Sequence, residues 1–115
     1  VNITSIGAEL AFPDNPAYQA SKAGLKHLTK ALAYDFSKYN IRVNSLAPGY
    51  TVTPMNRKSF KNKILKKKRS NQSMLNRWGF PFEIAETAIF LISEKSSFTT
   101  GQNFIVDGGW TSKGF

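Results

Sequence analysis

The chain has 115 residues, of which 41% are hydrophobic and 20% charged. That composition suits one domain and is that of a globular chain, not a disordered one. It contains no cysteine, which rules out disulfides and thiolate metal centres, and its single histidine and seven acids argue against a structural metal site. The net charge of +9 is local: residues 57–69 (RKSFKNKILKKKR) hold eight basic residues and no acid, while the rest is nearly neutral. A nucleic-acid binder usually spreads its basic footprint over a folded face. No apolar run approaches the roughly 18 residues that cross a bilayer.

In chain order, VNITS reads as a short strand, with Val1 and Ile3 alternating with polar residues. The stretch IGAELAFPDN is rich in turn formers and reads as a loop. Asn15 is then placed as a helix N-cap with Pro16 at the first helical position. The helix is expected to reach about Lys38, with Leu25, Leu28, Leu32 and Phe36 as its buried face. IRVNSLA reads as a second strand starting at Ile41, broken by Pro48-Gly49. The basic segment follows as one amphipathic, lid-like helix with Phe60, Ile64 and Leu65 on its apolar side. After the RWGFP turn, Pro81 opens a helix to about Ser93 with Ile84, Ala88, Leu91 and Ile92 inward. QNFIVD holds a third strand, ended by Gly108-Gly109, and the tail to Phe115 is expected to be extended. The order β-α-β-α-α-β predicts an α/β fold with a parallel sheet and crossover connections.

Tyr18 and Lys22 stand four residues apart, on one face of the first helix. A free phenol, with a pKa of about 10, is a poor acid or base near neutrality, and a neighbouring ammonium lowers that pKa. Such a pair is suited to giving a proton to a carbonyl oxygen or taking one from an alcohol. The spacing alone fits a solvated helix face equally well. Ser5, thirteen residues upstream, ends the first strand, and Pro48-Gly49 and Asp107-Gly108-Gly109 end the other two. Ligands of parallel α/β sheets bind outside the carboxyl ends of the strands.

The stretches NITSIG, YQASK, IRVNSLAPGYTVTPM, RWGFPFEIAE and TTGQNFIVDGGW, in this order, resemble the C-terminal half of the classical short-chain dehydrogenase/reductase family. The resemblance implies the C-terminal half of a Rossmann-like, doubly wound parallel sheet. It also implies reversible hydride transfer between NAD or NADP and a carbonyl or alcohol. Tyr18 matches the catalytic acid/base. Lys22 matches the lysine that assists it and holds the nicotinamide ribose. Ser5 matches the serine bonded to the reacting oxygen. Pro48 and Gly49 match the turn shaping the nicotinamide pocket, and Thr53 the hydroxyl residue that follows and contacts the cofactor. Thr51 stands where the family usually has Ile or Val, a position that meets the carboxamide through its backbone.

The family's glycine-rich phosphate turn has no match among the 115 residues, and its catalytic asparagine and NAD/NADP-selecting residue belong to the same unmatched half. Residues 1–115 are therefore expected to be the C-terminal part of a longer, single Rossmann-like domain. The resemblance further implies a cytoplasmic dimer or tetramer built on long paired helices. A truncated, non-catalytic product or an interaction module remains the alternative. Asn2 and Asn44 are read as structural, Asp107 as a turn former, and Trp78 and Trp110 as packing residues; His27 is expected to point away from Tyr18. The basic run has three readings: a solvated face, a lid favouring anionic substrates, or a contact with nucleic acid or an anionic membrane.

Overall fold

A computed structural model describes residues 1–114. Three parallel strands lie in the order β1 (Asn2–Ile3), β2 (Ser45–Pro48), β3 (Asn103–Val106). Helix α1 (Pro16–Ser37) connects β1 to β2. Helices α2 (Arg57–Lys61), α3 (Lys63–Ser70) and α4 (Pro81–Ile92) connect β2 to β3. Because side chains alternate along a strand, the sheet has two distinct faces, and helices cover both.

The α1 face is small and polar. Asn2 Nδ2 donates to Thr29 Oγ1 at 3.0 Å. Thr4 Oγ1 and Ser45 Oγ both donate to Asn103 Oδ1, at 2.9 and 2.6 Å. Asn103 Nδ2 in turn donates to Glu9 Oε1 at 2.8 Å, and Lys26 on α1 pairs with Glu9 Oε2 at 2.6 Å. Thr4, Thr29 and Ser45 are buried, and every one of these groups has a partner, as burial of polar atoms demands. The opposite face is apolar: Leu46 is fully buried, and Phe104 meets Phe90 of α4 edge-on at 6.4 Å. This is the α/β arrangement of a doubly wound parallel sheet, in its C-terminal half.

Several local expectations are corrected. Helix α1 buries Thr29 and Ala33, whereas Leu28 is 48% exposed and Phe36 is exposed as well. Small residues let the helix approach the polar sheet face closely, so the leucine row lies off the contact. Asn15 precedes Pro16 as expected but makes no side-chain cap; its Oδ1 accepts from Gln19 Nε2 at 2.6 Å. Residues 41–44 are not strand. Their groups bond the loop before β3 instead: Val43 N to Thr100 Oγ1, Gly101 N to Val43 O, and Asn44 Nδ2 to Thr99 O.

The basic segment is two helices, not one, giving β-α-β-α-α-α-β. The break is at Asn62, whose extended backbone ends α2 and whose side chain accepts from Leu65 N at 3.0 Å to cap α3. Ile64, expected on the apolar side, is 79% exposed, and Ile92 of α4 is exposed too. The tail is a turn rather than extended, because the Asp107 carboxylate accepts from Gly109 N and Thr111 N at 2.8 and 2.7 Å. Phe115 lies outside the described residues.

Candidate active site

Ser5 leaves β1 and caps the short 3-10 turn Ile6–Ala8, its Oγ accepting from Gly7 N at 3.0 Å. That bond uses an oxygen lone pair and leaves the hydroxyl proton free to be donated. A methyl group on Gly7 would meet Ser5 Oγ at 3.5 Å and Tyr18 Cε1 at 3.6 Å, so hydroxyl and phenol ring flank this glycine. The first turn of α1 is fixed against the preceding loop by Gln19, whose amide exchanges bonds with the Phe12 backbone at 2.8 and 2.7 Å. One turn on from Tyr18, the Lys22 ammonium donates to Ile3 O at 2.9 Å and sits 5.7 Å from the Tyr18 ring centre. The carbonyl at the end of β1 thus holds the lysine beside the tyrosine.

The second wall is the turn after β2. Gly49 N donates to Val106 O at 2.9 Å. An added Cβ on Gly49 would lie 2.7 Å from the Asp107 Cα, so only glycine permits this approach of the β2 and β3 ends. Thr51 is buried and forms an isolated parallel bridge with Gly79. The bridge uses the Gly79 amide and carbonyl, bonded to Tyr50 O and Val52 N. Thr51's own N–H and C=O therefore face the other way, where the carbonyl accepts from Asn56 Nδ2 at 3.1 Å.

One cleft of about 680 Å³ is lined by Ser5, Tyr18, Lys22, Pro48, Gly49, Thr51 and Thr53 together. The structure brings all seven sequence-derived site residues to one cavity at the carboxyl ends of β1 and β2. The remaining singled-out residues lie outside it. His27 is exposed on α1. Asn44 is buried and bonded to Thr99 O and Gln102 N. Trp78 is buried, with Nε1 donating to Lys66 O at 3.1 Å. Trp110 stacks on Tyr50 at 5.1 Å. Among the described residues no cluster of potential metal ligands occurs, and no helix is long and apolar enough to cross a membrane.

Sequence reasoning missed three contributors. Glu9 ties the sheet network to α1; no motif marks it. Asn56 lines the cleft and holds the Thr51 carbonyl. Arg69 closes the basic run and lines the same cleft; only its being arginine distinguishes it from the lysines beside it.

Residues 1–111 match the family model described as enoyl-(acyl carrier protein) reductase. Cyclopentanol dehydrogenase of Comamonas testosteroni is 37% identical over 112 residues, covering 97% of this chain and 45% of that protein. The structure of 4-hydroxyisoleucine dehydrogenase complexed with NADH superposes with a TM-score of 0.95 at 42% identity, over 98% of this chain and 46% of that one. Gluconate 5-dehydrogenase from Burkholderia cenocepacia, in complex with NADP and tartrate, gives a TM-score of 0.94 at 39% identity over 98% and 44%. The chain therefore spans about half the length of the relatives it matches. It belongs to the classical short-chain dehydrogenase/reductase family.

Proposed function

We propose that the protein containing this chain is an NAD(P)-dependent oxidoreductase that interconverts a carbonyl and an alcohol, with Ser5, Tyr18 and Lys22 as its catalytic group. The observation that carries this reading is the shared cleft: a hydroxyl, a phenol and an ammonium line one cavity with Pro48, Gly49, Thr51 and Thr53. The relatives named above support the reaction class, since each is a dehydrogenase, and two are bound to NADH and NADP.

The cleft fits the nicotinamide end of such a cofactor. Lys22 offers donors for ribose hydroxyls, the Pro48-Gly49 turn gives a flat apolar wall, and the Thr51 backbone and Thr53 hydroxyl offer polar partners. When bound, the nicotinamide supplies or accepts the hydride. In the reducing direction the Ser5 hydroxyl donates to the substrate carbonyl oxygen and orients it. The Tyr18 hydroxyl delivers its proton to that oxygen as the carbonyl carbon is reduced. The Lys22 ammonium stabilises negative charge developing on the phenol oxygen. In the oxidising direction the Tyr18 phenolate, stabilised by the Lys22 ammonium, takes the alcohol proton while Ser5 orients the oxygen.

The chain is further read as the C-terminal part of a single Rossmann-like domain whose other half carries the glycine-rich phosphate turn. Exposed Leu28 and Phe36 on α1, and Ile89 and Ile92 on α4, support a homo-oligomer, and a cytoplasmic location fits the family. The test is Tyr18→Phe in the full-length protein. Turnover of ketone with NADH or NADPH should fall roughly 100- to 10,000-fold with an unchanged circular dichroism spectrum. A variant as active as the parent would overturn the assignment.

A further inference from the structure

Arg42, Arg69 and Arg77 differ in how their charge is met. Arg42 donates to Leu91 O, Ser93 O and Ser96 Oγ at 2.7 to 3.0 Å. Arg77 forms a two-point ion pair with Glu83 at 2.6 and 2.9 Å. Arg69 has neither. Its guanidinium carbon stands 4.3 Å from the Tyr50 ring centre and 5.9 Å from that of Trp78. Its Nη1 is buried with no hydrogen-bond partner. Aromatic faces attract the charge but supply no lone pair to its in-plane N–H groups.

Arg69 is also a wall of the cleft that holds Ser5, Tyr18 and Lys22. Among the described residues no acidic side chain lines that cleft, and its only other charge is Lys22, which the redox reading assigns to the phenol and the cofactor ribose. The ion pairs among the described residues are Lys26–Glu9 and Arg77–Glu83, and no carboxylate of the described residues pairs with Arg69. A rigid, permanently charged fork held by aromatic rings at the rim of a reaction cleft is suited to two-point recognition of a carboxylate. The lysines beside it are not comparable: Lys67 and Lys68 are exposed and do not reach the cleft.

We propose that Arg69 is a substrate-recognition residue that binds a carboxylate group carried by the substrate, making the enzyme selective for hydroxy or oxo acids. This rests on the redox reading of the cleft and adds the substrate class. Tyr50 and Trp78 hold the guanidinium in place at the cleft wall.

The test uses the full-length protein with malonate as the probe and dimethyl malonate as its uncharged counterpart. Malonate should compete with the carbonyl substrate, and the diester should not. Arg69→Gln should weaken malonate roughly 10- to 100-fold, Arg69→Lys should restore part of it, and K67Q/K68Q should change nothing. The cofactor KM should be the same in all variants. Equal inhibition by malonate and its diester, or malonate binding indifferent to Arg69→Gln, would remove the proposal. So would a shift in cofactor KM alone, which would mean that Arg69 serves a cofactor phosphate. If the protein proves to have no turnover, the redox reading fails separately, and calorimetric titration of malonate into parent and Arg69→Gln still decides the arginine's role.

Discussion

The floor of the cleft and its basic rim are built on opposite terms. On the floor, Ser5 is tied to Gly7 N, Lys22 to Ile3 O, Gln19 to Phe12, and Gly49 to Val106 O. Each of these side chains of the proposed site stands beside a strand end or a helix turn that backbone bonds hold. Along the rim, α2 and α3 bury no residue at all. Their attachments are few: Trp78 Nε1 reaches Lys66 O, the Phe60 ring meets Trp78 at 5.3 Å, and Arg69 lies against Tyr50. Segments held by few buried contacts open at low free-energy cost. The floor is therefore built to hold the side chains of the proposed site in fixed positions. The rim is more loosely held, with Trp78 as its main anchor.

Substitutions on the floor should consequently act on catalysis or on the whole fold. Lys22→Met keeps the stem and removes the ammonium; kcat/KM should fall roughly 100-fold, with little change in melting temperature. Near-normal kinetics in that variant would remove the lysine from the chemistry and erase the contrast with the rim. Gly49→Ala should be the most destabilising of the floor changes. Its Cβ would sit 2.7 and 2.8 Å from Asp107 Cα and Cβ, forcing β2 and β3 apart at a cost of about 1–3 kcal/mol. A denaturant melt compares it with the parent, and an unshifted midpoint would show that the strand ends have slack.

Arg42 extends the comparison to the far side of the sheet. It closes the carboxyl end of α4 by donating to Leu91 O and Ser93 O, carbonyls that lack intrahelical donors at a helix end and that Ser96 also bonds. Arg42→Met should cost about 2 kcal/mol in the same melt while leaving KM unchanged. A changed KM with normal stability would reverse that assignment.

What the sequence disclosed follows the same division. Ser5, Tyr18, Lys22, Pro48, Gly49, Thr51 and Thr53 were singled out by the resemblance to the family, since the Tyr18–Lys22 spacing alone fits a solvated helix face equally well, and the structure brings all seven to one cleft. The direction in which α1 faces was not legible. The leucine row suggested one face, but Thr29 and Ala33 make the contact, since a polar sheet face satisfied by Asn103 and Glu9 needs small partners. That pairing depends on residues far apart in the chain, which periodicity does not register. Arg69 was hidden for a related reason. Within KKKR every residue is equally basic, and only its position against Tyr50 separates it from its neighbours.

The smallest expected effect lies where rim meets floor, at the entrance to α4. Glu83 occupies the third position of that helix, and its Oε2 accepts from Phe80 N at 2.7 Å. Arg77 meets the same carboxylate in a two-point pair at 2.6 and 2.9 Å. The Arg77 hydrogen bonds, then the bond from Phe80 N, lower the Glu83 pKa from 4.5 to about 2. The folded protein thus binds the proton less readily than the unfolded chain does. The stabilisation is complete above about pH 4.5 and is lost as pH falls toward 2. Because the pair is exposed to solvent, its contribution is modest and weakens with salt. Glu83→Gln retains an acceptor for Phe80 N but loses the charge. Its melting temperature should lie slightly below the parent's at pH 6, and the two curves should converge as pH approaches 2. A gap that stays constant across that window would mean that Glu83 acts there through shape and not through charge. The helix entrance would then belong with the hydrogen-bonded floor rather than with the charged rim.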